Sequence, residues 1–236
     1  MLIRHLGFIL LLMVIAVNVR AQKGESNDTI CSNSILDQSV ESSKFRRAKN
    51  FRYNSSGQDL TTREPNQDYF VETITSHGLP IIPSSESSNV VVGKVIKIQP
   101  YFSGDKSQIY TEITLQVEEV LKNQSNSFSN RKKIILNKIG GAVRVNSGKV
   151  IRYEIQTDGQ GNPCDGSRYI FFIKELNSSN DLYFIRAYEL KDGKVFTLDN
   201  SKKKLINEKY QVSPELSNER TFLKFVRREI EKDEPR

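Results

Sequence analysis

The stretch IYTEITLQVEEVLK, residues 109–122, sets the fold. Ile109, Thr111, Ile113, Leu115 and Val117 fall on alternate positions, with Tyr110, Glu112, Thr114, Gln116 and Glu118 between them. That is the period of a strand with one face in the core and the other in water. The alternation slips at Glu118-Glu119 and resumes with Val120-Leu121, as a bulge at the rim of a curled sheet would make it.

The neighbouring segments repeat the strand theme. NVVVGKVIKIQ, residues 89–99, places Val90, Val92, Ile96 and Ile98 on one parity. Its Gly93 marks a bend, or a close approach of another backbone. Residues 100–107, containing Gly104-Asp105, form a hairpin connection into the opening stretch. RKKIILNKI (131–139) is a third strand ending at Gly140-Gly141, and KVIRYEIQ (149–156) a fourth with Ile151, Tyr153 and Ile155 inward. SRYIFFIK (167–174) is apolar on both faces, the mark of a central strand covered on each side. LYFIRAYEL (182–190) turns at Asp192-Gly193 into KVFTL (194–198). These readings predict a mainly β fold, an antiparallel OB-type barrel of five or more strands over residues 89–199, with a small β-sandwich as the alternative.

The flanks differ in character. Arg4 and His5 precede an apolar run, residues 6–17, and Val19-Arg20-Ala21 places a small residue where a signal peptidase cuts. The run is too short to span a bilayer comfortably. Residues 1–21 are therefore expected to be a leader, with Gln22 first in an exported chain that is secreted, periplasmic or extracellular. The formal charge of +7 falls to +5 without Arg4 and Arg20.

Residues 22–88 are rich in Ser, Asn, Asp, Gln, Lys and Arg and show no sustained period. They read as a largely disordered polar linker, with YFVETI (69–74) as a potential edge strand. Residues 200–236 are a basic connector followed by an amphipathic helix. Ser213-Pro214-Glu215 reads as its start, and Leu216, Phe222, Leu223, Phe225, Val226 and Ile230 as the stripe that packs on the barrel.

Only Cys31 and Cys164 occur. In an oxidising compartment such a pair invites a disulfide, which over so long a loop would contribute roughly 4–5 kcal/mol on chain-entropy grounds. Two free thiols are the alternative.

Candidate chemistry is sparse. His5 leaves with the leader and His77 stands alone in a polar loop, so a zinc site is not expected. Glu154, Asp158 and Asp165 surround DGQGNPCDG, which lacks the ligand order of a helix-loop-helix calcium site. Neighbouring strand residues such as Glu118 and Glu119 point to opposite faces, which does not suit a carboxylate pair. Gly140, Gly141 and Gly148 have neither the spacing nor the Lys-Ser/Thr of a phosphate loop. No catalytic, metal or cofactor residue is assigned.

One stretch suggests binding. Lys44, Arg46, Arg47, Lys49 and Arg52, interleaved with Phe45, Phe51 and Tyr53, could contact phosphates and stack bases. Arg131-Lys132-Lys133 and Lys202-Lys203-Lys204 add charge. Export removes most nucleic-acid partners, which favours an anionic polymer or a protein.

The succession VVVGKVIKIQP, YTEITLQVEEVLKN, KKIILNKIGG, CDGSRYIFFI and YFIRAYEL, over residues 89–198, resembles the secreted netrin-like domain of the tissue inhibitors of metalloproteinases. The resemblance implies a five-stranded OB-type barrel. In those inhibitors a cysteine is the first mature residue and chelates the protease zinc, whereas here Gln22 holds that place and the dense disulfide set is absent. The reading is thus an exported, non-enzymatic binding or interaction module. Its alternatives are a polyanion- or single-stranded nucleic-acid-binding OB domain, and an inhibitor-like protein acting through another surface.

Overall fold

The alternating stretch forms a strand of 15 residues around which the chain closes. In the computed structural model, residues 36–37, 44–62, 69–73, 78–124, 128, 132–156, 161–176, 181–198 and 204–233 are described. In chain order the elements are β1 (Leu36–Asp37), α1 (Lys44–Arg52), β2 (Tyr69–Thr73), β3 (Asn89–Phe102), β4 (Ile109–Asn123), β5 (Lys133–Ile139), β6 (Gly141–Arg144) and β7 (Val150–Gln156). They continue with β8 (Arg168–Leu176), β9 (Asp181–Lys191), β10 (Lys194–Thr197), α2 (Ile206–Tyr210) and α3 (Glu219–Asp233).

β4 pairs antiparallel with β3 on one side and β5 on the other. β5 runs parallel to β9, β9 antiparallel to β8, and β8 returns antiparallel to β3. The pairing closes a ring of five strands, the OB-type barrel expected from the strand order. β10 extends β9 through Asp192-Gly193, both at positive φ, which the tight hairpin turn requires.

The irregularities fall where the residues require them. The β3–β4 register shifts between Val92 and Gly93, whose partners are Glu119 and Val117, leaving Glu118 as the extra residue of a bulge. A Cβ on Gly93 would lie 2.7 Å from the carbonyl oxygen of Gln116. Only glycine allows the two backbones this approach.

Three apolar clusters fill the structure. Inside the barrel lie Val91, Val95, Ile113, Leu115, Leu136, Tyr169, Phe171, Ile173 and Phe184. Outside it, Val90, Val92, Ile170, Phe172 and Tyr188 meet Phe222, Leu223, Val226 and Ile230 of α3. β8 is thus covered on both faces, which explains its unbroken apolar run. A third cluster joins Phe102 and Ile109 to Val143, Ile151 and Tyr153.

Three expectations need correction. Residues 149–156 do form a strand, but it lies outside the ring: β6 and β7 make a hairpin in a second sheet, with β1 parallel on β6 and β2 parallel on β7. Gly140 and Gly141, at φ 107° and 147°, turn the chain straight from β5 into β6. Ser213 makes no side-chain cap, and Pro214–Ser217 is a 3-10 turn. α3 begins later, where the Oδ1 of Asn218 accepts from the N–H of Thr221 at 3.1 Å, a standard N-terminal cap. Finally, parts of the 22–88 segment are built onto the domain. α1 lies on the barrel, and Ile81 and Ile82 pack against the cluster under α3. Composition could not show this, because the partners of these residues lie far along the chain.

Replacing Gly93 by Ala should lower stability by about 1–3 kcal/mol through overpacking against the β4 backbone. An unchanged urea midpoint would contradict the close approach.

Candidate functional site

The wet face expected for β4 is covered over part of its length. Tyr110 and Glu112 point away from the barrel interior, yet they are only 0% and 7% exposed. The cover is α1. Its Arg46 grips Glu112 with two bonds, Nη1 to Oε1 at 2.6 Å and Nη2 to Oε2 at 3.1 Å, the planar fork that suits arginine. The same guanidinium lies 3.8 Å over the ring of Tyr101 and donates to the hydroxyl of Tyr110 at 3.2 Å.

One turn further, the Nζ of Lys49 is 2.6 Å from Oε1 of Glu112 and 3.9 Å from Asp181 at the start of β9. Arg52 reaches Asp181 at 3.2 Å. Tyr53 stacks flat on Tyr110, with ring centres 3.8 Å apart and planes 6° apart. Its hydroxyl is hydrogen-bonded to that of Tyr183 at 2.7 Å. The hydroxyl of Tyr110 donates to Oδ1 of Asn50 at 2.6 Å.

The hairpin loop between β3 and β4 closes over the end of α1. Gly104 donates its N–H to the carbonyl of Asn50 at 3.0 Å, Asp105 donates its own to Oδ1 of Asn54 at 3.0 Å, and the side-chain amide of Gln108 donates to the carbonyl of Tyr53. The loop is braced from within. Slight burial pushes the Asp105 carboxyl up, but hydrogen bonds from Ser107 and Ser103 outweigh this and hold it at about 2.

Burial governs the electrostatics of the covered face. It raises the Glu112 carboxyl, but bonds and charges from Arg46 and Lys49 outweigh it and leave the group below its ordinary value of 4.5. Burial pushes the Tyr110 phenol up to about 12, with Arg46 opposing. Such pairing is what makes a covered carboxylate tolerable.

This is a familiar place on a barrel of this kind. OB barrels take ligands on the face of their second and third strands, beside the loops joining the first to the second and the fourth to the fifth. Here those strands are β4 and β5, and the first of those loops is the one bonded to α1. Beyond the helix the face continues as Thr114, Ile135, Gln116 and Lys133, with Ile135 47% exposed.

The structure divides the eight residues of the basic-aromatic stretch. Arg46, Lys49, Arg52 and Tyr53 turn toward the barrel, while Arg47 and Phe51 face solvent. Lys44 and Phe45 belong to α1, but their side chains lie outside the described residues. Cys164 donates its N–H to the hydroxyl of Tyr169 at 2.8 Å. Cys31, His77, Asp158, Arg131, Lys202 and Lys203 lie outside the described residues. Glu118 and Glu119 are engaged in ion pairs with Arg168 at 2.5 Å and Arg227 at 2.7 Å.

Sequence reading passed over Glu112, Asp181, Tyr101, Tyr110 and Tyr183. The available signal was an acid and a tyrosine at wet positions of β4, facing a stretch with Arg46, Lys49 and Tyr53 at helical spacing.

Elsewhere, buried Arg186 donates to the hydroxyl of Tyr210 at 2.5 Å and to the carbonyl of Leu79 at 3.3 Å, which anchors the segment before β3. Among the described residues no group of three or more His, Cys, Asp or Glu could hold a metal ion, and no helix is long and apolar enough to cross a membrane. No protein-family model matches this chain, and no curated protein does.

Replacing Glu112 by Gln removes the carboxylate that Arg46 and Lys49 share, a loss worth about 3–5 kcal/mol for a buried pair. Trypsin should then cut within α1 at least tenfold faster than in the native chain. Acid should act alike. Since the folded carboxyl sits below 4.5, its contribution is complete at neutral pH and is lost as pH falls from 4.5 through the depressed value. NMR signals of residues 46–53 should therefore move to undocked positions on acidification. Signals that stay docked in the Gln variant would contradict the role given to Glu112.

Proposed function

We propose that the chain is an exported, non-enzymatic binding module that meets a protein partner through the outside of its barrel. The observation that carries this reading is the acidic, tyrosine-rich face of β4, β5 and β9, half covered by α1 and open at Ile135. Export belongs to the proposal through the expected leader at residues 1–21, and with it the bridge between Cys31 and Cys164.

The reading is favoured over a polyanion- or nucleic-acid-binding barrel for an electrostatic reason. Arg46, Lys49 and Arg52 already face carboxylates, and an anion would have to displace Glu112 and Asp181 to reach them. A netrin-like inhibitor remains a narrower form of the same proposal. With Gln22 in place of the chelating cysteine, it would have to act without the N-terminal zinc contact.

A photoreactive amino acid at Ile135, in the exported chain in its own envelope, should give a discrete cross-linked protein. The same group at exposed Ser147, in the turn between β6 and β7, should not. No adduct from Ile135, or the same adducts from both positions, would overturn the proposal.

A further inference from the structure

We propose that the β4–β5–β9 face is a receptor for a cationic helical segment of a partner polypeptide, and that α1 is its resident occupant in cis. This rests on the reading of the chain as a binding module and adds the chemistry of the partner.

The fit is written in the spacing. Arg46, Lys49, Asn50 and Tyr53 stand at i, i+3, i+4 and i+7, one stripe of a helix and its immediate continuation. Each meets a matching group. Glu112 takes the arginine fork and the lysine together, Tyr110 bonds the asparagine, and the ring of Tyr110 carries the tyrosine. A face that satisfies two cations and a ring in fixed register will accept other helices that repeat the pattern.

The way α1 is held makes it exchangeable. Its apolar residues with described side chains, Ala48 and Phe51, face solvent. Among its described side chains no aliphatic contact locks it down, and the contacts they make are charge pairs, hydrogen bonds and ring stacking. These are interactions a second helix can reproduce and salt can weaken. The face also keeps an unmet acceptor. Asn137, opposite Glu112 on β5, is 2% exposed and donates to the carbonyl of Leu182, yet its Oδ1 has no hydrogen-bond partner among the described residues. A segment carrying one more donor would bind better than α1 does.

Tethering sets the threshold for exchange. A helix attached to its site by a short connection acts at an effective concentration on the order of mM. A free segment must outcompete that, so binding should strengthen when α1 is disarmed.

The test uses the full exported chain and a synthetic peptide of residues 42–56 as the probe. In low salt the peptide should bind the Arg46→Ala, Lys49→Ala, Tyr53→Ala chain at least tenfold more tightly than the native chain. Adding Glu112→Gln should weaken that binding at least tenfold, and the peptide carrying Arg46→Glu and Lys49→Glu should not bind. Circular dichroism and thermal melting establish that the variants are folded. Should the disarmed chain fail to fold, the native chain still decides the matter, because saturating peptide should accelerate hydrogen exchange across residues 46–53. Absent binding to a folded disarmed chain, binding indifferent to Glu112→Gln, or unchanged exchange in the native chain would each overturn the inference. A protein cross-linked from Ile135 together with no peptide binding would overturn it while leaving the binding-module reading intact.

Discussion

A carboxylate taken out of water on the outside of a barrel must be paired, and Glu112 is the residue on which this requirement falls. It stands where the alternation of β4 predicts solvent, yet a helix lies over it. Leaving it unpaired there would be strongly unfavourable, so Arg46 and Lys49 have to approach it from the same side. With those two fixed, α1 has one orientation. Tyr53 is then brought onto Tyr110, Arg52 onto Asp181, and the end of the helix against the hairpin loop. α1 is thus oriented by charge pairing on the outside of an apolar barrel.

The two longer helices clothe the barrel by different means. α3 is held by an apolar stripe, with Phe222 and Val226 fully buried against β3 and β8. Ion pairs from Arg168 to Glu118 and Glu219, and from Arg227 to Glu119, sit at its margin. The described side chains of α1 form no such stripe. Burial of aliphatic surface is nearly indifferent to salt and pH, whereas charge pairing is sensitive to both. The hold on α3 should therefore vary little with salt and pH, and the hold on α1 with both.

The barrel was legible in the sequence because its signals are local. The period of residues 109–117, the slip at Glu118, the glycine at 93, the Asp192-Gly193 turn and the double-faced run at 169–173 each report a constraint felt within a few residues. The α3 stripe was legible for the same reason, although its first turn was placed too early, since Ser213 and Pro214 satisfy the rules for a start that the chain delays to Asn218. The second sheet was only partly visible. β6 has four residues, too short for a pattern, and the parallel strands on the edges of its hairpin arrive from distant sequence. The covered face was the least visible part. A polar, basic helix reads as solvated surface by composition, and the acids that attract it lie more than sixty residues away. Only the pairing of two misfit observations, a basic helical stripe and an acid beside a tyrosine at wet positions of β4, could have suggested it.

The direct measure of this account is the coupling between Glu112 and Arg46. In a double-mutant cycle on folding stability with Glu112→Gln and Arg46→Gln, the account predicts a coupling of about 1.5–3 kcal/mol at low salt, falling as salt is raised. Effects that simply add, with no coupling at any ionic strength, would mean that this pair does not hold α1 to the barrel.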